Sequence, residues 1–451
     1  MTNSALSKQS ALIAIAAIIC IAAVMGGGGV RYGIANLTVQ LTALAFAAFH
    51  CPAIFAFWKT APASLRVLIA LSALLPLAQL IPLPESVWTS LPGRELVQQS
   101  FALTGHSGWV PLSVDPIRTT VALTGIIVPL AILMVGWSLK RRQLLMLGWL
   151  IVAIGLVNVL IGIPQVLAGV SALPIYPEPG PDDVLYGLFA NRNSTGLFLV
   201  AAFTLAAILP SPKKHAAVLP VRLALCLLFL VAIVLTRSRT ALVLAMIPIA
   251  MAMLRSVLVF RSSTNGQTRK SPSVRFVTFG AIALCIAAAA TTLSMAPGRV
   301  ADTMERFQAQ SDARAYIWKD ATYSASRYWP AGTGMGTFDE VFQTDESLEN
   351  VTERRAGRAH NDYLEVAIEA GATGIILIAA WLIMIAWLAW RARNSERRWA
   401  AWAGGAILLA IALQSITDYP LRNQSMLALA SFAFLLLARI GTRRGENEHD
   451  R

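Results

Sequence analysis

"LLMLGWLIVAIGLVNVLIGIPQVLA", residues 144–168, contains no charged side chain and directly follows Gln143 and the basic run Lys140, Arg141 and Arg142. A helix rises about 1.5 Å per residue, so an apolar run of roughly 20 residues is what crosses the hydrocarbon of a bilayer. Comparable blocks recur near residues 11–30, 37–57, 67–83, 119–138, 195–210, 220–236, 240–258, 276–296, 366–390, 400–417 and 424–440. Composition agrees: 56% of residues are hydrophobic and only 14% charged, with a mean hydropathy of +0.61. A soluble chain does not gather its apolar residues this way. The expected fold is an all-α integral membrane protein, a bundle of about 12 transmembrane helices, with residues 1–451 forming one polytopic domain.

The first block follows Lys8 and has no clear small-residue cleavage site, so it reads as a retained helix rather than a signal peptide. Cys20, Cys51, Cys226 and Cys285 lie in or against apolar blocks, where they suggest packing rather than a disulfide framework or a thiolate metal site. Basic residues set the orientation. With the N-terminus in the cytoplasm, every short connector on that side is basic: Lys59 and Arg66, Lys140 to Arg142, Lys213 to Arg222, Arg255 to Arg275, Arg391 to Arg398, and Arg439 onward. The net charge of +13 is largely this topological signal, and a nucleic-acid partner is not expected.

Basic residues on the opposite side are arginines apart from Lys319, and topology does not ask for them there. Apart from Arg31, they fall in residues 82–120, in "YGLFANRNSTG" (186–196), in "TRSRT" (236–240), in "DYPLR" (418–422) and in a long loop, residues 297–363. That loop is the only sizeable region expected outside the membrane, and it is expected to be partly helical. Within it, "DARAYIWKDATYSASRYW" places Arg314, Trp318 and Ala321 on one helical face. "PAGTGMGTF" follows no strand and lacks a Gly-Lys-Ser continuation, so its alternating glycines read as a turn rather than a nucleotide loop. "FDEVFQTDESLENVTERR" is acidic and reads as solvated.

Taken in order, "FANRNSTGLFL", "LTRSRTALV", "ARAYIWKDA" with "PAGTGMGTF", "RAHNDYLEVAIEAGATG" and "DYPL" resemble the O-antigen ligase and O-antigen polymerase superfamily, over roughly residues 80–425. The resemblance implies a bacterial inner-membrane glycosyltransferase whose site faces the periplasm. Such an enzyme takes a glycan from undecaprenyl diphosphate to a hydroxyl of lipid A core or of another glycan, and the resemblance implies no cofactor and no metal. Acceptor specificity is left open between ligase, polymerase and protein O-glycosyltransferase. With no added C-terminal periplasmic domain expected, surface polysaccharide ligation or polymerisation is the leading expectation.

The residue chemistry is consistent with that transfer. A lipid diphosphate leaves, so phosphate charge needs arginine forks in a water-poor site. Arg237 and Arg239 in the tight connector, and Arg314 on the loop helix, are the candidates; the plainer alternative is pairing with general lipid phosphates or loop acids. The acceptor hydroxyl needs a base, and His360, before an apolar block and among Arg354, Arg355 and Arg358, is the candidate. Those arginines and the positive end of the following helix both disfavour imidazolium. His106 is the only rival histidine on that side. Asn191, Asn193, Asn361, Asp362 and Tyr363 are candidate substrate-orienting residues, although Asn191 and Asn193 could equally cap a helix near Thr195. Asp362 with Glu365 resembles a capping box, and Asp362, Glu365 and Glu369 share one helical face. A metal alternative would use Asp182 with Asp183, or Asp339 with Glu340. The rival class, a transporter or flippase of lipid-linked sugars, places ionisable residues near the bilayer midplane, and the middles of these blocks hold no Asp, Glu, Lys or Arg.

Overall fold

The computed structural model describes residues 3–29, 31–176, 182–211, 218–264, 313–351 and 355–441. Their regular structure is helical apart from a two-residue antiparallel ladder in which Pro82 pairs with Pro111 and Leu83 with Val110. Among the described residues, 6 helices can cross a membrane by length and composition: Gln9–Gly28, Pro116–Gly136, Arg141–Ala168, Val218–Leu235, Arg239–Leu258 and Asp362–Ala392. Gly33–Phe49 and Cys51–Thr60 form a further apolar pair bent by 78°. Ala63–Gln79, Arg192–Ile208, Arg398–Gln414 and Gln424–Ile440 are apolar but shorter. Each coincides with an apolar block of the sequence. The remaining block, residues 276–296, lies outside the described residues, as do residues 297–312 of the long loop.

Burial separates inner from outer helices. Arg192–Ile208 is buried along nearly its whole length, as a helix that is apolar all round must be. It packs against Arg141–Ala168, Val218–Leu235 and Arg398–Gln414. Gly404 lets the backbone of Arg398–Gln414 approach Ala433 and Leu437 of Gln424–Ile440, the small-residue contact by which membrane helices associate. Outer helices instead expose large hydrophobics, among them Leu160, Val243, Ile376 and Ile383, which suit hydrocarbon and not water. At the basic ends, arginines lie over tryptophans: Arg393 on Trp390 at 3.7 Å, Arg391 on Trp387 at 4.6 Å and Arg439 on Trp137 at 5.2 Å. Tryptophan with arginine at one level is the pattern of a membrane interface. The protein is a multi-pass membrane protein.

At the other end of Asp362–Ala392 lies a cap with a small core of its own: Ala321 and Tyr328 from helix Ala313–Tyr328, Phe338, Val341 and Phe342 from helix Phe338–Asp345, and Ala359 and Ile368. The acidic stretch is therefore not simply solvated, a correction to its sequence reading. Its Phe338, Val341 and Phe342 recur at helical spacing and are buried, and Asp345 is paired with Arg327 at 2.6 Å.

Asp362–Ala392 is not one continuous helix. Gly371 takes φ 55° and ψ −142°, which breaks the ladder and frees carbonyls inside a mostly apolar protein. Such groups must find donors. The "PAGTGMGTF" loop supplies them: Thr333 N–H donates to Ile368 O at 3.0 Å and Gly334 N–H to Glu369 O at 2.8 Å, while Gln79 Nε2 donates to Glu369 O at 2.9 Å. In return Ala372 N–H donates to Pro330 O at 3.0 Å. Gly332, Gly334 and Gly336 all have positive φ and lie against the Glu369 carbonyl, Ser113 and the Arg118 carbonyl respectively. The alternating glycines serve this close backbone packing. A Cβ at Gly371 would collide with the Pro330 carbonyl, whereas one at Gly33 meets nothing within 4 Å. Gly371→Ala is expected to abolish a monodisperse, cooperatively melting protein in detergent, with Gly33→Ala melting as the wild type does.

Candidate active site

His360 immediately precedes the helix that starts at Asp362, and its backbone has φ 51°. A bulky residue holds that conformation only when its surroundings over-determine it. Ala359 N–H donates to Glu365 Oε1 at 3.0 Å, the Ala359 carbonyl accepts from Trp318 Nε1 at 2.8 Å, and Asp362 N–H donates to Ser415 O at 2.9 Å. The helix cap is Asn361, whose Oδ1 accepts from Leu364 N–H at 3.1 Å. This shifts the expected capping box: Asp362 is the first helical residue and is buried, and Glu365 binds the Ala359 amide instead of the cap.

Clamped on both sides, the imidazole meets the segment 418–422. Its Nδ1 lies 3.5 Å from Asp418 Oδ1, and its ring centroid lies 5.0 Å from that of Tyr419. Both facing atoms are buried and form no closer hydrogen bond among the described residues. Asp418 Oδ2 accepts from Asn191 Nδ2 at 3.3 Å. Asn191 in turn caps helix Arg192–Ile208, its Oδ1 accepting from Asn193 N–H at 2.9 Å. Asn193 Oδ1 accepts from Ser238 Oγ at 2.8 Å, and Asn193 O from Gln414 Nε2 at 3.0 Å. Ser238 caps helix Arg239–Leu244, and Thr240 lies 3.2 Å from Thr417, hydroxyl to hydroxyl.

Four distant connectors thus join through a chain of side chains that runs from His360 to the Arg237–Arg239 turn. Arg237, at φ 52°, donates from Nη2 to Asp183 Oδ2 at 2.8 Å. Arg314 and Arg358 both bear on Tyr419. Burial pushes its phenol up to about 12, with Asp418 pushing the same way and the two arginines pulling back. Burial likewise raises the Tyr186 phenol against the pull of Arg192 and Arg237.

The candidates from the sequence are therefore brought together, though not all point outward. His360, Arg237, Arg239, Arg314, Asn191 and Asn193 are half-buried around the junction. Asn361 spends its oxygen on the helix cap, and Tyr363 donates its hydroxyl to Ala412 O at 2.8 Å. Asp362 Oδ2 accepts from Ser415 Oγ at 3.0 Å and Leu421 N–H at 3.3 Å. These three hold the chain in place. The arginine cluster beside His360 is also differently employed: Arg355 binds Asp339 at 2.7 Å and Arg358 binds Glu365 at 3.0 Å, while Arg354 lies outside the described residues. The nearest charged neighbour shown for the imidazole is a carboxylate, Asp418, where the sequence reading expects arginines. The acid pairs weighed as metal ligands are engaged as well, Asp183 by Arg237, Asp339 by Arg355, Glu340 by Arg118 at 2.7 Å, and Asp182 by the Val170 amide at 3.1 Å.

Behind the imidazole, Arg422 joins the two segments. Its Nη2 lies 2.7 Å from Glu369 and 3.3 Å from Glu365, and its Nε 3.6 Å from Asp362. Burial alone would lower the guanidinium pKa, but the Glu369, Glu365 and Asp362 carboxylates hold it raised. The shared helical face of these acids, legible in their spacing, thus has a buried cation as its partner. Removing one member of such a network strands the others, at about 3–5 kcal/mol. Arg422→Met is expected to lower stability by at least that much, read as a large drop in melting temperature of the detergent-purified protein.

The sequence reading misses Asp418, Arg192 and Arg422 as members of the site and weighs Asp183 only as a metal ligand, although "DYPL" is a motif in the sequence. Residues 224–379 match the family model described as O-antigen ligase. The match covers helix Val218–Leu235 from residue 224, the arginine connector, the Arg314 helix, His360 and the broken helix past Gly371. No curated protein matches the chain. The matched stretch, residues 224–379, spans the arginine connector and the histidine-led helix, and in it the chain is similar to the O-antigen ligase family.

Proposed function

We propose that the protein is a glycosyltransferase that moves a glycan from undecaprenyl diphosphate to an acceptor hydroxyl at the periplasmic face of the bacterial inner membrane, as an O-antigen ligase or surface polysaccharide polymerase. The observation that carries this reading is the convergence of His360 and Asp418 with the connector bearing Arg237 and Arg239 and with the Arg314 helix. The basic, tryptophan-flanked helix ends support a cytoplasmic placement of the opposite side. A bundle of about 12 spans, with the cap in the periplasm, accommodates both ends.

In the proposed transfer, Asp418 faces Nδ1 and keeps the imidazole proton there, so that Nε2 is the nitrogen left to accept. A separation of 3.5 Å is looser than a working hydrogen bond, as free enzymes often are. Nε2 takes the proton of the acceptor hydroxyl as its oxygen bonds to the anomeric carbon. The bond from that carbon to the phosphate oxygen breaks, and its electron pair leaves with the lipid diphosphate. Arg237, Arg239 and Arg314 stabilise that charge, which a planar fork does bidentately and an ammonium cannot. Asn191 and Asn193 orient substrate hydroxyls beside the base. Asn361, Asp362 and Tyr363 act on His360 by holding its backbone.

The test is transfer in proteoliposomes from a lipid diphosphate-linked glycan. His360→Gln and Asp418→Asn are each expected to lose roughly 10²- to 10⁴-fold in rate while donor binding persists, and a chelator is expected to change nothing. Near-wild-type transfer by His360→Gln would sink the assignment. Deleting the gene and comparing lipopolysaccharide ladders with secreted polysaccharide separates ligase from polymerase.

A further inference from the structure

Arg237 is held by an acid that serves no evident packing purpose. Its side chain is 14% exposed and anchored in the tight turn, whereas that of Asp183 is 41% exposed. Both residues have left-handed backbones, at φ 52° and 55°, so two strained turns aim the pair at one another. Only one contact between them is made, Nη2 to Oδ2 at 2.8 Å. The buried Nε–H of Arg237 has no acceptor among the described residues, so half of the fork that matches a phosphate bidentately is unused. Arg192 bears on the same Tyr186 phenol as Arg237, which puts a second cation nearby.

We propose that Asp183 is a placeholder for a phosphate of the donor and thereby a selectivity filter: it admits diphosphates and turns away singly charged phosphodiester lipids. This rests on the function proposed above. An incoming phosphodiester exchanges one negative charge for another and gains little. A diphosphate brings two, fills the unused side of the fork and releases the exposed carboxylate to water. A repulsive or competing group that costs the wrong ligand more than the right one is a general route to specificity. In a bilayer rich in phosphodiester headgroups, an arginine site without such a competitor would stand occupied.

The experiment uses purified protein in nanodiscs of phosphatidylcholine with increasing phosphatidylglycerol, measuring KM for a lipid diphosphate-linked glycan. The wild-type KM is expected to be nearly independent of phosphatidylglycerol. Asp183→Asn and Asp183→Ser are expected to show a severalfold lower KM in pure phosphatidylcholine and a severalfold rise as phosphatidylglycerol is added, and Asp183→Glu to restore insensitivity. Neutral variants with the wild-type KM and no phosphatidylglycerol dependence would overturn the filter while leaving the function intact. Wild-type protein that transfers nothing from lipid diphosphate would overturn the function beneath it.

Discussion

Three carboxylates on the first turns of one helix, Asp362, Glu365 and Glu369, are buried where water cannot solvate them. Their burial is tolerable only with cations and amides at hydrogen-bond distance, because an unpaired buried charge is among the costliest defects a fold can carry. Arg422 and Arg358 supply the cations, and Ala359, Phe338 and Leu421 the amides. This pairing ties the segment bearing Asp418 to the helix that follows His360. The imidazole and its facing carboxylate come from places far apart in the chain, and the network behind them fixes their separation.

The break at Gly371 serves the same end. A straight helix would have no freed carbonyls at Ile368 and Glu369, and the glycine loop 332–336 would have nothing to cap. By accepting from Thr333, Gly334 and Gln79, those carbonyls anchor the cap to the bundle. Broken helices also mark ion pathways in transporters. Here the protein's own backbone seals the break, and the polar groups collect at the end of the bundle where the connectors meet.

Much of this was legible in the sequence because it is local. Apolar blocks of spanning length, the basic connectors and the Arg314–Trp318–Ala321 face depend only on near neighbours, and Trp318 does reach the carbonyl beside His360. What escaped depends on contacts between distant segments. Nothing local marks Asp418 as the partner of His360, or shows that Arg355 and Arg358 pair with Asp339 and Glu365 instead of phosphate. Gly371 sits in an apolar run whose composition is the same whether the helix breaks or not. Asp345 looks solvated because its acidic neighbours are, yet Arg327 draws it inside.

If these connectors build one diphosphate site facing His360, the lipid carrier must bind where they meet. The most direct measurement is a cryo-EM structure of the wild-type protein in nanodiscs with undecaprenyl diphosphate bound. The expected result is diphosphate density within hydrogen-bond distance of the Arg237 guanidinium, on the side of the junction to which the His360 imidazole is open. Diphosphate bound elsewhere, with Asp183 still on Arg237 and the space before His360 filled by protein, would contradict it.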